Sequence, residues 1–319
     1  MTNEYSVLAY YFFNKIDDPH REVADHKKFL ENLDSRGRIY ISEDGINGQM
    51  SLASEDVQIY LDWLHSKPYF QEMPIKIHSY HEHAFEKLKI KYRDQLVALD
   101  YDVDMSLTGE HVTPKKWKEM LETNNDRVVI DVRNDYEWKV GHFDGAITPP
   151  LSTFREFKSY AKDLQKKIDP KNTPVMMYCT GGIRCELYSA LLKEEGFEKV
   201  YQLDGGVINY GLKEGSQHWQ GKLFVFDDRM TVPISEEETP TISKCHRCEA
   251  LTGDYYNCAN MDCNHLFICC KSCLEELKGC CCNECQETPR VRPFQHQNPH
   301  KPFRKRHYFR DTLLKKCPV

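Results

Sequence analysis

The sequence predicts an α/β protein in three parts: an N-terminal α+β domain, a central domain on a parallel sheet, and a C-terminal cysteine-rich segment. Three observations predict it. The first 95 residues alternate strand and helix periodicities in the order βαββαβ. Residues 114–220 alternate short apolar runs with helical stretches. Of the 14 cysteines, 12 lie at or after Cys245.

In the N-terminal domain, Val7 to Phe13 is an apolar and aromatic run that reads as a strand. Asp18-Pro19 supplies an N-cap and a first-turn proline, and Val23, Phe29, Leu30 and Leu33 then line one helical face. Gly37 is expected just past that helix. Arg38–Ile41 and Ile46–Leu52 read as strands, Ser54 opens a second helix with Val57, Leu61 and Leu64 inward, and Ile75–Tyr80 is the last strand. This order is the split-βαβ pattern of a ferredoxin-like (acylphosphatase-like) domain, assigned to residues 1–95. From His81 the chain turns polar and mixed in charge. Residues 96–113 read as connector, and Thr113-Pro114 starts the next helix.

In the central domain, 114–220, the strand-like runs are Val128–Ile130, Val175–Tyr178 and Val200–Leu203. The helix after Cys179 shows Ile183, Leu187, Ala190 and Leu191 on one face and ends at Gly196. Such alternation predicts a parallel sheet covered by helices on both faces, with its site at the carboxyl ends of the strands. Cys179 stands at such an end. Residues 221–240, with the run Glu236-Glu237-Glu238-Thr239-Pro240, read as a linker. A cysteine-rich segment (241–289) and a basic tail (290–319) follow.

A net charge of −6, a pI near 6.2 and a mean hydropathy of −0.66 describe a soluble chain without a global attraction to nucleic acid. DNA is not an expected partner. The N-terminus MTNEYSVLAYYFF lacks a basic region and a small-residue cleavage site, and no apolar run reaches the roughly 18 residues of a membrane span. The expected location is the cytoplasm, without a membrane partner. In that compartment the cysteines point to a metal site or redox chemistry rather than a disulfide framework.

The sharpest local signal is Cys179-Thr180-Gly181-Gly182-Ile183-Arg184, between a buried strand and a helix. Glycines let consecutive N–H groups turn toward one point, the helix N-terminus adds partial positive charge, and Arg184 adds a full one. A thiol in that setting has a lowered pKa and reacts as thiolate. The competing reading, a buried core cysteine, explains neither the glycines nor the arginine.

Cys-x4-Arg after a buried strand resembles the active loop of the rhodanese sulfurtransferases. Val128-Val129-Ile130-Asp131-Val132-Arg133 resembles that family's strand ending in Asp-Val-Arg. Glu137, Gly141-His142 and Gly145-Ala146 resemble its E-x3-GH-x2-GA stretch, and Leu203-Asp204-Gly205-Gly206 its L-x-GG. Related phosphatases carry a loop one residue longer, so the length here favours sulfur chemistry. The resemblance implies that Cys179 forms a persulfide or sulfenate. Arg184 and the backbone of Thr180, Gly181, Gly182 and Ile183 would cradle an anion, and Asp131 and Arg133 would hold the loop. Cys185 either resolves an oxidised Cys179 by forming a disulfide or packs against the sheet.

The whole arrangement resembles a narrower family, the rhodanese-like tRNA uridine hydroxylases. Ile41-Ser42-Glu43 before Gly45-Ile46-Asn47-Gly48, the loop CTGGIRCE and Phe224-Val225-Phe226-Asp227-Asp228-Arg229 carry the likeness. It implies oxidation of the wobble uridine of tRNA to 5-hydroxyuridine with molecular oxygen, and tRNA, contacted at its anticodon region, as partner. The alternative is a sulfurtransferase passing persulfide sulfur from Cys179 to a small-molecule or protein acceptor. A third is a non-catalytic scaffold, against which the intact cysteine speaks. No two-histidine-one-carboxylate pattern and no dinucleotide fingerprint is present, so no organic cofactor is expected. Arg155 and Lys158 are candidate basic contacts.

In the C-terminal segment, Cys245-x2-Cys248, Cys258-x4-Cys263, Cys270-x2-Cys273 and Cys282-x2-Cys285 have the spacing of zinc knuckles, enough for two structural Zn²⁺ ions paired sequentially or interleaved. Cys269, Cys280, Cys281, His246 and His265 are further donors. Disulfides and an iron–sulfur cluster fit the compartment and the spacing less well. The tail sets Arg290, Arg292, Lys301, Arg304, Lys305, Arg306, Arg310, Lys315 and Lys316 among Phe294, Phe303, Tyr308 and Phe309, which suits RNA or simply solvent.

Overall fold

The computed structural model describes residues 4–123 and 126–296. The N-terminal domain comprises β1 (Tyr5–Phe13), α1 (Pro19–Leu30), β2 (Ser35–Ser42), β3 (Gly45–Ala53), α2 (Val57–Ser66), β4 (Ile75–Tyr80) and β5 (Leu88–Tyr92). Its sheet runs β4-β1-β3-β2-β5, and β5 lies parallel to β2. The first four strands give the expected ferredoxin-like arrangement. The fifth falls in the polar stretch after His81, where alternating lysines conceal a period-2 pattern that buries Ile90.

The Asp18 carboxylate caps α1, accepting from the Arg21 N–H at 2.9 Å. Gly37 is not past the helix but inside β2, where a Cβ would stand 2.4 Å from Met50 Cβ. Close strand approach explains this glycine. Leu8, Tyr10, Ile39, Ile41, Ile46 and Met50 turn one sheet face onto α1 and α2, where Tyr60 and Leu64 complete the core. By strand periodicity the other face carries two cross-strand rows, Tyr11–Asn47–Tyr40 and Lys76–Ala9–Gln49–Arg38.

The central domain comprises β6 (Glu110–Val112), α3 (Pro114–Thr123), β7 (Val128–Asp131), α4 (Asp135–Trp138), β8 (Gly141–Phe143), α5 (Phe157–Gln165), β9 (Val175–Tyr178), α6 (Ile183–Glu194), β10 (Val200–Leu203), α7 (Gly206–Glu214) and β11 (Trp219–Gly221). Strands β6-β10-β9-β7 form a wholly parallel sheet. Phe157, Leu164, Tyr188 and Leu191 seal α5 and α6 on one face; Trp117, Leu121, Val207 and Tyr210 seal α3 and α7 on the other. β6 is a three-residue edge strand within the expected connector. The expected apolar face of α6 is only partly the buried one: Ile183 and Leu187 are half-buried, whereas Arg184, Cys185, Glu186 and Tyr188 are buried. Tyr11 reaches across from the N-terminal domain to Glu186 of this helix, and the Gly109 N–H donates to its Ser189, so this side too is covered by protein.

The expected linker 221–240 is largely packed. A hairpin of β12 (Leu223–Phe224) and β13 (Thr231–Val232) buries Phe224, Val225 and Met230, and exposure is confined to Pro233 and the acidic run. Beyond it lie β14 (Tyr255–Asn257), β15 (Leu266–Ile268), α8 (Lys271–Glu276) and α9 (Asn283–Gln286). Arg290 pairs with Asp262 at 2.5 Å and Arg292 donates to Asn264 Oδ1 at 3.2 Å. The tail from residue 297, including every basic residue from Lys301 onward, lies outside the described residues. Among the described residues no helix is long and apolar enough to cross a membrane.

Candidate active site

β9, buried along its length, carries the chain to Cys179, whose side chain is wholly buried. The Gly182 N–H donates to Cys179 Sγ at 3.1 Å. Gly182 adopts φ +107°, which points its amide inward and leaves no room for a Cβ, since that atom would meet the Tyr11 hydroxyl at 2.6 Å. Gly206, at φ +66°, is the second required glycine: a Cβ there would fall 2.5 Å from Cys179 O and 2.8 Å from the Gly181 and Gly182 nitrogens. This close approach lets the Val207 and Ile208 N–H groups donate to Cys179 O and Thr180 O, at 3.0 and 3.1 Å.

Burial pushes the Cys179 thiol up, but four partners outweigh it. The Cys185 thiol, the Arg184 charge and the amides of Arg184 and Gly182 together hold the group well below the ordinary thiol range. Cys185 responds inversely: burial and its bond to Cys179 push it well above that range. Cys179 is thus the thiolate and Cys185 its neutral donor.

Arg184 is not a free anion ligand. Its guanidinium clasps Glu137 through two bonds of 2.5 and 2.8 Å, and the Thr180 hydroxyl donates to the same carboxylate at 3.2 Å. Glu137 is fully buried and also caps α4, accepting from the Asn134 N–H at 3.1 Å. Burial works against its charge, and Arg184 overrides it, keeping the carboxyl below its usual range. The loop amides alone therefore remain to cradle an anion on the sulfur. Asp131 and Arg133 do not hold the loop either: they bond each other at 2.8 and 2.5 Å, and Arg133 donates to Gly141 O at 2.6 Å. Their backbone neighbours, β7 and the turn into β8, are what they fix.

The N-terminal domain completes the surroundings. Lys76 Nζ donates to Gly181 O at 2.8 Å, and Tyr11 Oη to Glu186 Oε1 at 2.9 Å. Glu186 also takes Gln202 Nε2 at 3.2 Å and lies 3.1 Å from His111 Nε2. Burial raises its carboxyl and lowers Lys76 to about 8. Between the sheet's open face and the loop is a cavity of about 310 Å³, lined by Tyr11, Asn47, Gln49, Lys76, Cys179 and Thr180, among others. Arg155 pairs instead with Asp100, and Lys158 sits over the Tyr101 ring; neither lines the cavity.

The cysteine segment gathers two groups of four, Cys245/Cys248/Cys270/Cys273 and Cys258/Cys263/Cys281/Cys285, each with all sulfurs within 4.8 Å of one another. Sulfur separations of 3.6 Å (Cys248–Cys270), 3.8 Å (Cys263–Cys281) and 3.7 Å (Cys281–Cys285) match the edge of a tetrahedron whose metal–sulfur bonds are about 2.3 Å. Either group can hold a metal ion, and the pairing is interleaved. Cys281, not Cys282, joins the second group. Cys282 is extended, so adjacent side chains point opposite ways and only one of the two faces the cluster. Cys269 and Cys280 are buried thiols outside both groups. The His246 ring nitrogens face Ile268 O and Cys281 O.

Comparison with known proteins matches three families along the chain: the UPF0176 acylphosphatase like domain over residues 5–96, the rhodanese-like domain over 113–212, and the rhodanase C-terminal family over 220–286. The tRNA uridine(34) hydroxylase of Protochlamydia amoebophila is 61% identical over 97% of both chains. That of Chlamydia felis is 54% identical over 96% of this chain and 95% of its own. The Chlamydia trachomatis serovar D protein is 53% identical over 96% and 94%.

This chain belongs to the tRNA uridine(34) hydroxylase family.

Within that family frame, several residues at the site escaped the sequence. Glu137 had been visible only as a motif letter, and its partner Arg184 is 47 positions away. Tyr11, Lys76, Asn47 and Gln49 come from another domain. Lys76, a lone charge in an apolar strand, was the one available signal among them.

Proposed function

We propose that this protein hydroxylates uridine 34 of tRNA to 5-hydroxyuridine, with Cys179 as the working thiolate and dioxygen as the source of the oxygen. The observation that carries the reading is a buried thiolate opening onto a cavity with cationic and amide walls, in a chain whose relatives bear the name tRNA uridine(34) hydroxylase. Replacing C–H by C–OH with dioxygen consumes two electrons and two protons and releases one water. A two-electron donor of the thiol class completes that balance.

In this reading Cys179 supplies the nucleophilic sulfur, and Cys185 and the loop amides keep it ionised. Glu137 holds Arg184 so that its charge faces the loop, and burial keeps bulk water from the sulfur. The two tetrahedral cysteine groups, Cys245/Cys248/Cys270/Cys273 and Cys258/Cys263/Cys281/Cys285, hold structural Zn²⁺ ions, which stabilise a segment with little apolar core of its own. The protein acts in the cytoplasm, where its tRNA substrate resides, and approaches the anticodon region.

The test incubates the purified protein with unmodified tRNA, a thiol reductant and either air or nitrogen, followed by nucleoside mass spectrometry. A gain of one oxygen on uridine, in air only and absent in Cys179→Ser, is the expected result. Full product from Cys179→Ser overturns the role of the thiolate. Sulfur release from thiosulfate without nucleoside change points instead to sulfur transfer, the reading favoured by the four-residue spacing between Cys179 and Arg184.

A further inference from the structure

Among the described residues, the open face of the N-terminal sheet donates no hydrogen bond to the Cys179 sulfur. Yet it forms the wall of the cavity opposite the loop. Along β3, Asn47 and Gln49 both point to this side, two residues apart and both half-buried. Each sits in a cross-strand row: Asn47 between Tyr11 and Tyr40, Gln49 between Ala9 and Arg38. Three other polar groups of the wall are tied to protein. Tyr11 bonds Glu186, Lys76 bonds Gly181 O, and Arg38 donates one nitrogen to Phe226 O at 2.9 Å. Among the described residues no such bond holds the Asn47 or Gln49 amides.

Half-buried amides facing a cavity beside a nucleophile suit a ligand whose edge alternates acceptors and donors. We propose that Asn47 and Gln49 bind the pairing edge of a single unstacked uracil, with Arg38 as a donor to one carbonyl and Tyr40 as an aromatic wall. This rests on the function proposed above and names the residues that would place the base against Cys179. Uracil presents carbonyl, N–H, carbonyl. An amide gives one acceptor and two donors, so two amides and a guanidinium match that sequence. Arg38 only donates, so it repels the amino group that cytosine presents in place of one carbonyl. The volume, about 310 Å³, lies at the small end of ligand pockets and suits one base rather than a stretch of strand. Lys91, exposed on the same side of β5, and Arg93, stacked 5.1 Å from the Tyr40 ring centroid, supply positive charge at the rim for the flanking phosphates.

The test uses the full chain and a synthetic anticodon stem–loop with uridine or cytidine at position 34, with binding followed by fluorescence anisotropy. Wild type is expected to prefer the uridine form. Asn47→Leu, near-isosteric, and Gln49→Leu, one heavy atom shorter, both remove the amide hydrogen bonds and should each lose about tenfold or more in uridine-form affinity and shrink the preference. Their Cys179 alkylation rates should stay at the wild-type value, which shows an intact loop. Equal affinity and an unchanged preference in both variants overturn the proposal. Tight binding with the expected losses, but no oxygen gain on tRNA by wild type, overturns the proposed function while sustaining this base site. Hydroxylation by wild type and by both leucine variants at equal kcat/KM does the reverse.

Discussion

Replacing Cys185 with alanine isolates what keeps Cys179 ionised. Four groups oppose the burial of that sulfur, and the thiol of Cys185 is the foremost of them. A hydrogen bond to a charged acceptor contributes about 1.5–3 kcal/mol. At 1.36 kcal/mol per pKa unit, its loss raises the Cys179 midpoint by about 1–2 units. The measurement is the pH dependence of iodoacetamide alkylation, resolved by peptide mass spectrometry so that the cysteines of the C-terminal segment do not interfere. Wild type should alkylate at a constant rate across neutral pH, since its thiolate is already formed. Cys185→Ala should show a rising rate with a midpoint displaced upward, and Cys185→Ser, which keeps a donor, should resemble wild type. A lowered folded value stabilises the native state above the ordinary thiol pKa of about 8.5. That contribution fades as pH falls through the native midpoint, so the alanine variant also loses stability at neutral pH. Coincident alkylation curves for wild type and Cys185→Ala would refute the reasoning and leave the loop amides and Arg184 as sufficient.

Glu137→Gln should cost about 3–5 kcal/mol in chemical denaturation, because a buried guanidinium loses its counter-charge; a loss under 1 kcal/mol contradicts the buried pair. Purified wild type should release two Zn²⁺ per chain to a chromogenic chelator. Cys281→Ser should release one and Cys282→Ser still two, and the opposite pattern would return the second site to the Cys282 reading. Lys76, lowered to about 8 by burial, is cationic below that value and neutral above it. Stem–loop affinity should therefore fall as pH rises from 7 to 9, and Lys76→Arg, which remains protonated, should abolish the fall. A pH-independent wild-type affinity excludes Lys76 from RNA attraction.

What could be read in the sequence was local. The loop from Cys179 to Arg184 is contiguous, and its glycines announce the turn. The N-cap at Asp18 and the alternating strands of the first domain are equally short-range. What could not be read depends on distant partners. The helical face of α6 misled because Tyr11, over 170 positions earlier, and Gly109 meet Glu186 and Ser189 on the side that periodicity assigns to solvent. Arg184 looked like an anion ligand because nothing nearby in sequence shows that Glu137 consumes it. The edge strands β5 and β6 hid among charges, since an edge strand buries little and shows little. In the run Cys280-Cys281-Cys282, spacing alone leaves the inward thiol undecided, and only the extended backbone resolves it.

The cysteine segment is more than an appendage. Tyr255, at its first strand, stacks edge-on against Phe224, which in turn meets Tyr136, and Tyr136 precedes Glu137 in α4. The interleaved ligand order means that the first cysteines of both groups are translated before the last of either. The first group is complete once the chain through Cys273 has emerged and the second only through Cys285, so the first closes around the segment that carries Cys258 and Cys263. With the proposed metal in place, Glu137 would stand at the tip of a lever whose far arm is clamped by it, and stripping that metal should slacken the lever, free Arg184, and register at the other end as a sulfur that holds its proton more tightly.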